Sequence, residues 1–160
     1  MNDVVTGVEF SASLQLERAA AEAFLGILQT EQDTLVQGDS ERLEVLAQDK
    51  TEMVRQLLRL AEQRNQYLVS RALTPDREGM EAWLAASPDK KAAAVAWHDL
   101  LQLAQAARQL NYINGQVIAA RLQHNQQTLA ALQGAAGVAS LYGPKGQTLG
   151  FSGGRPLGRV

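Results

Sequence analysis

The chain contains no cysteine, so disulfide staples and thiolate metal sites are excluded and the fold must hold by packing alone. Aromatic residues make up only 5% of its 160 residues, and leucine, alanine and valine must therefore fill whatever core it has. Together with abundant Gln, Glu and Arg, this is the composition of helices rather than sheets. No run of 18 apolar residues occurs, so no membrane span is expected. Met1 to Phe10 lacks the basic start and apolar block of a secretory leader, which agrees with a cytoplasmic protein. Acids are missing from the whole chain after Asp99, where Arg108, Arg121, Lys145, Arg155 and Arg159 remain. Five bases over that length are too thin for a nucleic-acid groove, which needs a dense basic stripe. From Asp3 to Glu52 the balance reverses, with eleven acids against three bases, and an acidic N-terminal arm lying beside a mildly basic C-terminal one is expected.

What is present is helical periodicity. Leu14, Ala21, Leu28 and Leu35 recur every seven residues, with Phe10, Phe24, Leu25 and Ile27 beside them, and predict a helix from about Ser11 to Val36. Gly38 suits its left-handed C-cap, and Asp39 is the N-cap of the next helix, so the two run antiparallel. That second helix, about Ser40 to Ala72, carries Leu46, Met53, Leu60 and Tyr67 in one row. In the partner row Leu43 and Leu57 alternate with Lys50 and Arg64. The two bases read as polar register markers whose stems cover apolar surface while the charges snorkel to water.

Thr74-Pro75-Asp76 and Ser87-Pro88-Asp89 each set a capping hydroxyl before a proline at the first helical position. Between them, Met80, Trp83 and Leu84 define a short helix expected to close the end of the hairpin. From Pro88 to Leu132 a third long helix is expected, a rod of roughly 65 Å if unbroken. Trp97, Leu100, Leu103, Ala107, Leu110, Ile113, Val117 and Ala120 trace its main stripe, and Leu101, Ala104, Ile118, Leu122, Leu129 and Leu132 widen it. Trp97 to Ala107 is assigned to the chain's own hairpin; beyond Leu110 the stripe is half of an unfinished core. Gly115 interrupts it beside Asn111 and Asn114, marking either a close approach of another helix or a solvated pair next to a tolerated glycine.

The fold class is therefore all-α, an antiparallel up-and-down bundle of three long helices and one short one. The bundle domain covers 1–133. A flexible tail, 134–160, holds eight of the thirteen glycines. Leu141, Tyr142, Leu149 and Phe151 in that tail are either a docking segment or residues that fail to pack. No catalytic or metal constellation can be assembled: His98 and His124 lack a carboxylate one turn away, and Gly143-Pro144-Lys145-Gly146 is turn chemistry rather than a phosphate cradle. No cofactor is implied, and the function expected is binding rather than catalysis.

Three pieces in order, the Leu-x2-Gly-Asp-x3-Leu-x2-Leu-x3-Lys hairpin from Leu35 to Lys50, the Asn111-x2-Asn114-Gly115 step and Leu141-Tyr142-Gly143-Pro144-x-Gly146, resemble the FlgN family of flagellar type III export chaperones. The resemblance implies a cytoplasmic chaperone that binds the C-terminal amphipathic segments of hook-associated (hook-filament junction) proteins and keeps them unassembled. It also implies delivery to the export apparatus, at the cytoplasmic domain of the gate and its ATPase complex. On this chain the implied client-binding residues are Leu110, Ile113, Asn114, Gly115, Val117, Ile118 and Leu122, and the residue for export-gate docking is Tyr142. A monomer or weak dimer is expected. The alternative is a structural coiled-coil protein whose surplus face is a homo-oligomer interface.

Overall fold

A computed structural model of the chain describes residues 6–86 and 90–141, with side chains as far as 137 in the last helix. Those residues form four helices and no strand: α1 (Gly7–Gln37), α2 (Ser40–Ser70), α3 (Arg77–Ala85) and α4 (Lys91–Leu141). By internal contacts the chain divides into one unit spanning Met1–Val117 and a second spanning Ile118–Val160.

In the first unit, α1 starts four residues ahead of the expected Ser11. Thr6 and Glu9 form a capping box there, the Thr6 hydroxyl accepting from Glu9 N–H and the Glu9 carboxylate from Thr6 N–H at 2.6 Å. Gly38 ends the helix at φ 76°, a left-handed conformation that glycine adopts without cost, and its N–H donates to Thr34 O. Asp39 then caps α2 by accepting from Arg42 N–H at 3.0 Å. The short turn makes the hairpin antiparallel.

Two charged pairs fix its register. Arg64 donates to Glu17, and Lys50 bonds both carboxylate oxygens of Glu31 at 3.1 Å. The Lys50 and Arg64 side chains are 24% and 17% exposed and their acids 7% and 6%. This corrects the snorkelling expected from sequence: both bases point at acids on α1 instead of water. Lone side chains cannot be told from paired ones until the two helices are laid in register, and the lower cost belongs to the pair. Among the described residues these pairs place charge complementarity between α1 and α2. The contact that does tie α1 to α4 by charge, Arg18 to Asp99 at 3.0 Å, runs in the opposite sense.

The packed end of the hairpin lies at the start of α1 and the close of α2. Phe10 and Tyr67 stack with ring centroids 3.8 Å apart, and Trp83 from α3 meets the Phe10 ring edge-on at 4.7 Å. Such aromatic pairs add about 1 kcal/mol each beyond their buried area. Met80 and Trp83 are buried in this cluster, so α3 closes the core as expected from its spacing. Its cap differs, however. Asp76, not Thr74, is the N-cap, accepting from Gly79 N–H at 2.9 Å and from the Thr74 hydroxyl at 2.6 Å. The hydroxyl holds the cap instead of being it, and Pro75 precedes the helix. Gly79 is required by packing: a Cβ there would stand 1.8 Å from Thr74 O. The second Ser-Pro-Asp mark lies outside the described residues.

Within the same unit α4 runs parallel to α1, as successive contacts of Gln15 with Ala92 O, Arg18 with Asp99, and Leu28 O with Asn114 require. Ala93, Ala96, Trp97, Leu100 and Ala107 are its buried apolar residues. Small residues at three of these five positions let the α4 backbone come close to its neighbours.

The second unit, as far as it is described, is the remainder of α4. The helix passes Leu132, where a composition change suggested its end, and continues through Gly134 and Gly137 to Leu141. Ala130, Ala131, Ala135, Ala136 and Ala139 are the best helix formers and offset two glycines costing about 1 kcal/mol each. The boundary expected at 133/134 thus falls inside a helix. Ile118, Leu122, Leu129 and Leu132 are all exposed along it. Residues 142–160 lie outside the described residues.

Candidate functional site

In the first unit the inward row of α4 steps by sevens from Leu100 to Ala107 to Asn114, and at Asn114 it becomes polar. Asn114 is fully buried; its amide donates to Leu28 O at 2.9 Å and to Glu31 Oε2 at 2.8 Å. Glu31 therefore accepts from Lys50 of α2 and Asn114 of α4 together, one carboxylate joining three helices. The Asn114 Oδ1 atom has no partner among the described residues. Asn114 is thus a fastening of the bundle, and its side chain is closed to an external partner, unlike the others grouped with it on sequence grounds.

Leu110 is half-buried, while Ile113 and Val117 are 40% and 38% exposed. Gly115 is exposed, and a Cβ at this position would meet nothing within 4 Å. Among the described residues no helix approaches it, so of the two readings of that glycine the close approach is absent here. In the second unit Ile118 and Leu122 are exposed at 42% and 57%. Tyr142, the expected gate-docking residue, lies outside the described residues.

Sequence reasoning missed a groove in the first unit, upstream of Leu110. Between α1, α2 and α4 there is a cavity of about 540 Å³, open to solvent. Glu17, Ala21 and Phe24 of α1 line it, with Leu57, Leu58, Ala61 and Arg64 of α2. From α4 come Trp97, Leu100, Leu101, Ala104, Ala107, Arg108 and Asn111. The segment Trp97 to Ala107, assigned wholly to the hairpin, is therefore divided. Trp97, Leu100 and Ala107 face inward, but Leu101 is half-buried and Ala104 exposed. The signal was present in the offset row of Leu101 and Ala104, which a single packed face does not need.

The electrostatics of the groove are set by one buried pair. Burial pushes the Glu17 carboxyl up from its usual range, and the Arg64 charge and hydrogen bond oppose that without cancelling it. The Arg64 guanidinium also sits 5.2 Å from the centroid of the Trp97 ring, a cation–π contact. Arg108 makes no ion pair among the described residues.

At the other end of the unit, Gly7, Tyr67, Arg71, Leu73, Ala82, Trp83, Ala86 and Lys90 line a second cavity of about 410 Å³. Lys90 is fastened there, its Nζ 3.7 Å from the Trp83 ring centroid and donating to Trp83 O at 2.8 Å. Among the described residues no three His, Asp or Glu side chains are gathered to hold a metal ion, and no helix is long and apolar enough to cross a membrane.

What the site can do is receive an apolar surface: it has exposed aliphatic side chains, alanine-lined walls and few free charges. Comparison with known proteins supplies a context. The family model FlgN, described as FlgN protein, matches residues 7–150. Neither a curated protein nor a solved structure matches the chain.

Proposed function

The chain belongs to the FlgN family of flagellar export chaperones, and from that premise we propose that it binds the C-terminal amphipathic segments of hook-filament junction proteins. In this reading it works in the cytoplasm, keeps those clients from assembling early and hands them to the export gate. The observation that carries it is the uncovered apolar surface of α4: Ile113 and Val117 in the first unit, Ile118, Leu122, Leu129 and Leu132 in the second. Exposed aliphatic residues at helical spacing match a partner that is itself an amphipathic helix. Leu110 and Gly115 belong to the same proposed contact, Gly115 because the open space above it lets a partner backbone come close. Asn114 acts from beneath, by holding α4 to the hairpin. Tyr142 is proposed to dock at the gate's cytoplasmic domain. Holding and handing over make and break no covalent bond, so no residue is assigned a catalytic role.

The test is a pull-down and titration of the full chain with peptides from the C-terminus of a hook-filament junction protein. Binding at or below tens of micromolar, roughly 6–8 kcal/mol of affinity, is expected; no detectable binding in that range would sink the proposal.

A second reading is favoured by one observation, the second unit's helix. Its stripe of Ile118, Leu122, Leu129 and Leu132 has coiled-coil spacing and nothing covers it among the described residues. A homo-oligomer would cover it. Sedimentation separates the two, since a tight, concentration-independent dimer favours the oligomer.

A further inference from the structure

We propose that the groove between α1, α2 and α4 seats the client, and that it selects a helix with bulky apolar residues on one face and carboxylates on the flank turned toward α4. This rests on the chaperone reading above but moves the client's seat from the exposed stripe beyond Leu110 to the groove, and it adds the chemistry by which the client is chosen.

The shape of the groove sets the first requirement. Ala21, Ala61, Ala104 and Ala107 occur on all three of its helical walls, so the groove is short of side-chain volume. Ala104 is exposed and ready for contact. A helix laid there can bring leucine-sized residues between the alanines, the arrangement that lets helices pack at short distance. From Trp97 to Asn111 the α4 wall rises roughly 21 Å, which matches about fourteen residues of client helix.

Charge sets the second. The acid in the groove, Glu17, already accepts from Arg64 and offers little negative charge to a newcomer. Arg108 has no ion-pair partner among the described residues, and α4 carries no acid anywhere beyond Asp99. The α4 lip is therefore cationic, and a client that brings carboxylates to it gains attraction without displacing an existing pair. A basic client would meet Arg108 with no α4 acid beyond Asp99 to compensate it. The floor lacks an acceptor as well: the Trp97 indole N–H is buried with no hydrogen-bond partner.

The experiment uses the full chain and a fluorescein-labelled C-terminal peptide of a hook-filament junction protein, followed by anisotropy. A second peptide has its Asp and Glu replaced by Asn and Gln. Ala104→Trp fills the groove from an exposed position, Arg108→Glu reverses its lip, and Ile118→Ser with Leu122→Ser disables the second unit's stripe. Circular dichroism checks that each variant keeps its helix content. Ala104→Trp is expected to weaken binding about tenfold by occupying the seat. Arg108→Glu is expected to weaken it roughly fivefold at low salt, a difference that fades near about 0.5 M salt and with the neutralised peptide. If wild type binds while Ala104→Trp and Arg108→Glu both stay within twofold of it, and the Ile118→Ser, Leu122→Ser variant loses binding, the client sits on the second unit. The groove proposal is then overturned and the chaperone reading stands. If wild type itself fails to bind, the chaperone reading falls and takes this one with it.

Discussion

Replacing Asn114 with alanine removes two buried hydrogen bonds at the one point where Glu31 joins three helices. The bond to Leu28 O is between neutral groups and contributes about 1 kcal/mol; the bond to the Glu31 carboxylate is charge-assisted and contributes about 2. Part of this is offset, because the substitution also removes an Oδ1 atom buried without a partner, a burden of about 1 kcal/mol. Glu31 keeps Lys50, so no uncompensated charge is left behind. The expected loss for Asn114→Ala is about 2 kcal/mol in urea unfolding followed by far-UV circular dichroism, or roughly 6 °C in Tm. Asn114→Asp should cost more, about 4 kcal/mol at neutral pH, since a second buried carboxylate faces Glu31 and both donors are gone. The sign of its pH dependence follows. The introduced carboxyl is pushed above its unfolded value, so stability is present when it is protonated and lost as pH rises through the folded value. The gap between the two variants should therefore narrow on acidification from neutral pH. A loss below about 0.5 kcal/mol for Asn114→Ala, or equal costs for both variants at every pH, would refute the claim that this amide fastens α4.

Two glycines should respond in opposite directions. Gly115→Ala, with nothing within reach of the new methyl, should stabilise the protein by about 1 kcal/mol in thermal unfolding, whereas Gly79→Ala must displace Thr74 O and should destabilise it by about 2 or more. Reversing one member of the buried pair, Glu17→Arg, should cost about 3 kcal/mol, and adding Arg64→Glu should restore most of that in a double-mutant cycle. At the α3 cap, the Thr74 hydroxyl and the Gly79 N–H hold the Asp76 carboxyl below its usual range. Its contribution is present above the unfolded carboxylate value and is lost as pH falls through the lower folded value, so hydrogen-exchange protection factors in α3, corrected for the intrinsic pH dependence of exchange, should fall in acid, and Asp76→Asn should abolish that dependence.

The parts legible in sequence were those decided by neighbours along the chain. Gly38-Asp39 gave both caps of the hairpin because each needs only local backbone geometry, and the rows of sevens gave the core faces of α1 and α2. Misreadings arose where a second helix decides. Lys50 and Arg64 read as snorkelling because Glu31 and Glu17, the acids they reach, lie 19 and 47 residues away in the chain. The family resemblance groups Asn114 and Gly115 in one client contact, yet one is buried against α1 and the other faces open space. Alanine content carried α4 past two glycines that punctuation rules treat as a stop. The groove was hidden for a related reason. Periodicity gives the direction in which a residue points but not how far apart the facing helices stand, so Leu101 and Ala104 could be placed on a flank and not in a cavity.

The two tryptophans fell into separate surroundings, and that makes them optical reporters built into the chain. Trp83 lies in the closed aromatic cluster with the Lys90 ammonium over its ring, while Trp97 lines the groove with the Arg64 guanidinium over its own. An occupant that settles in the groove changes the polarity around one indole and leaves the other as an internal standard. In a Trp83→Phe background the emission of Trp97 would then read groove occupancy directly, without a label on either protein.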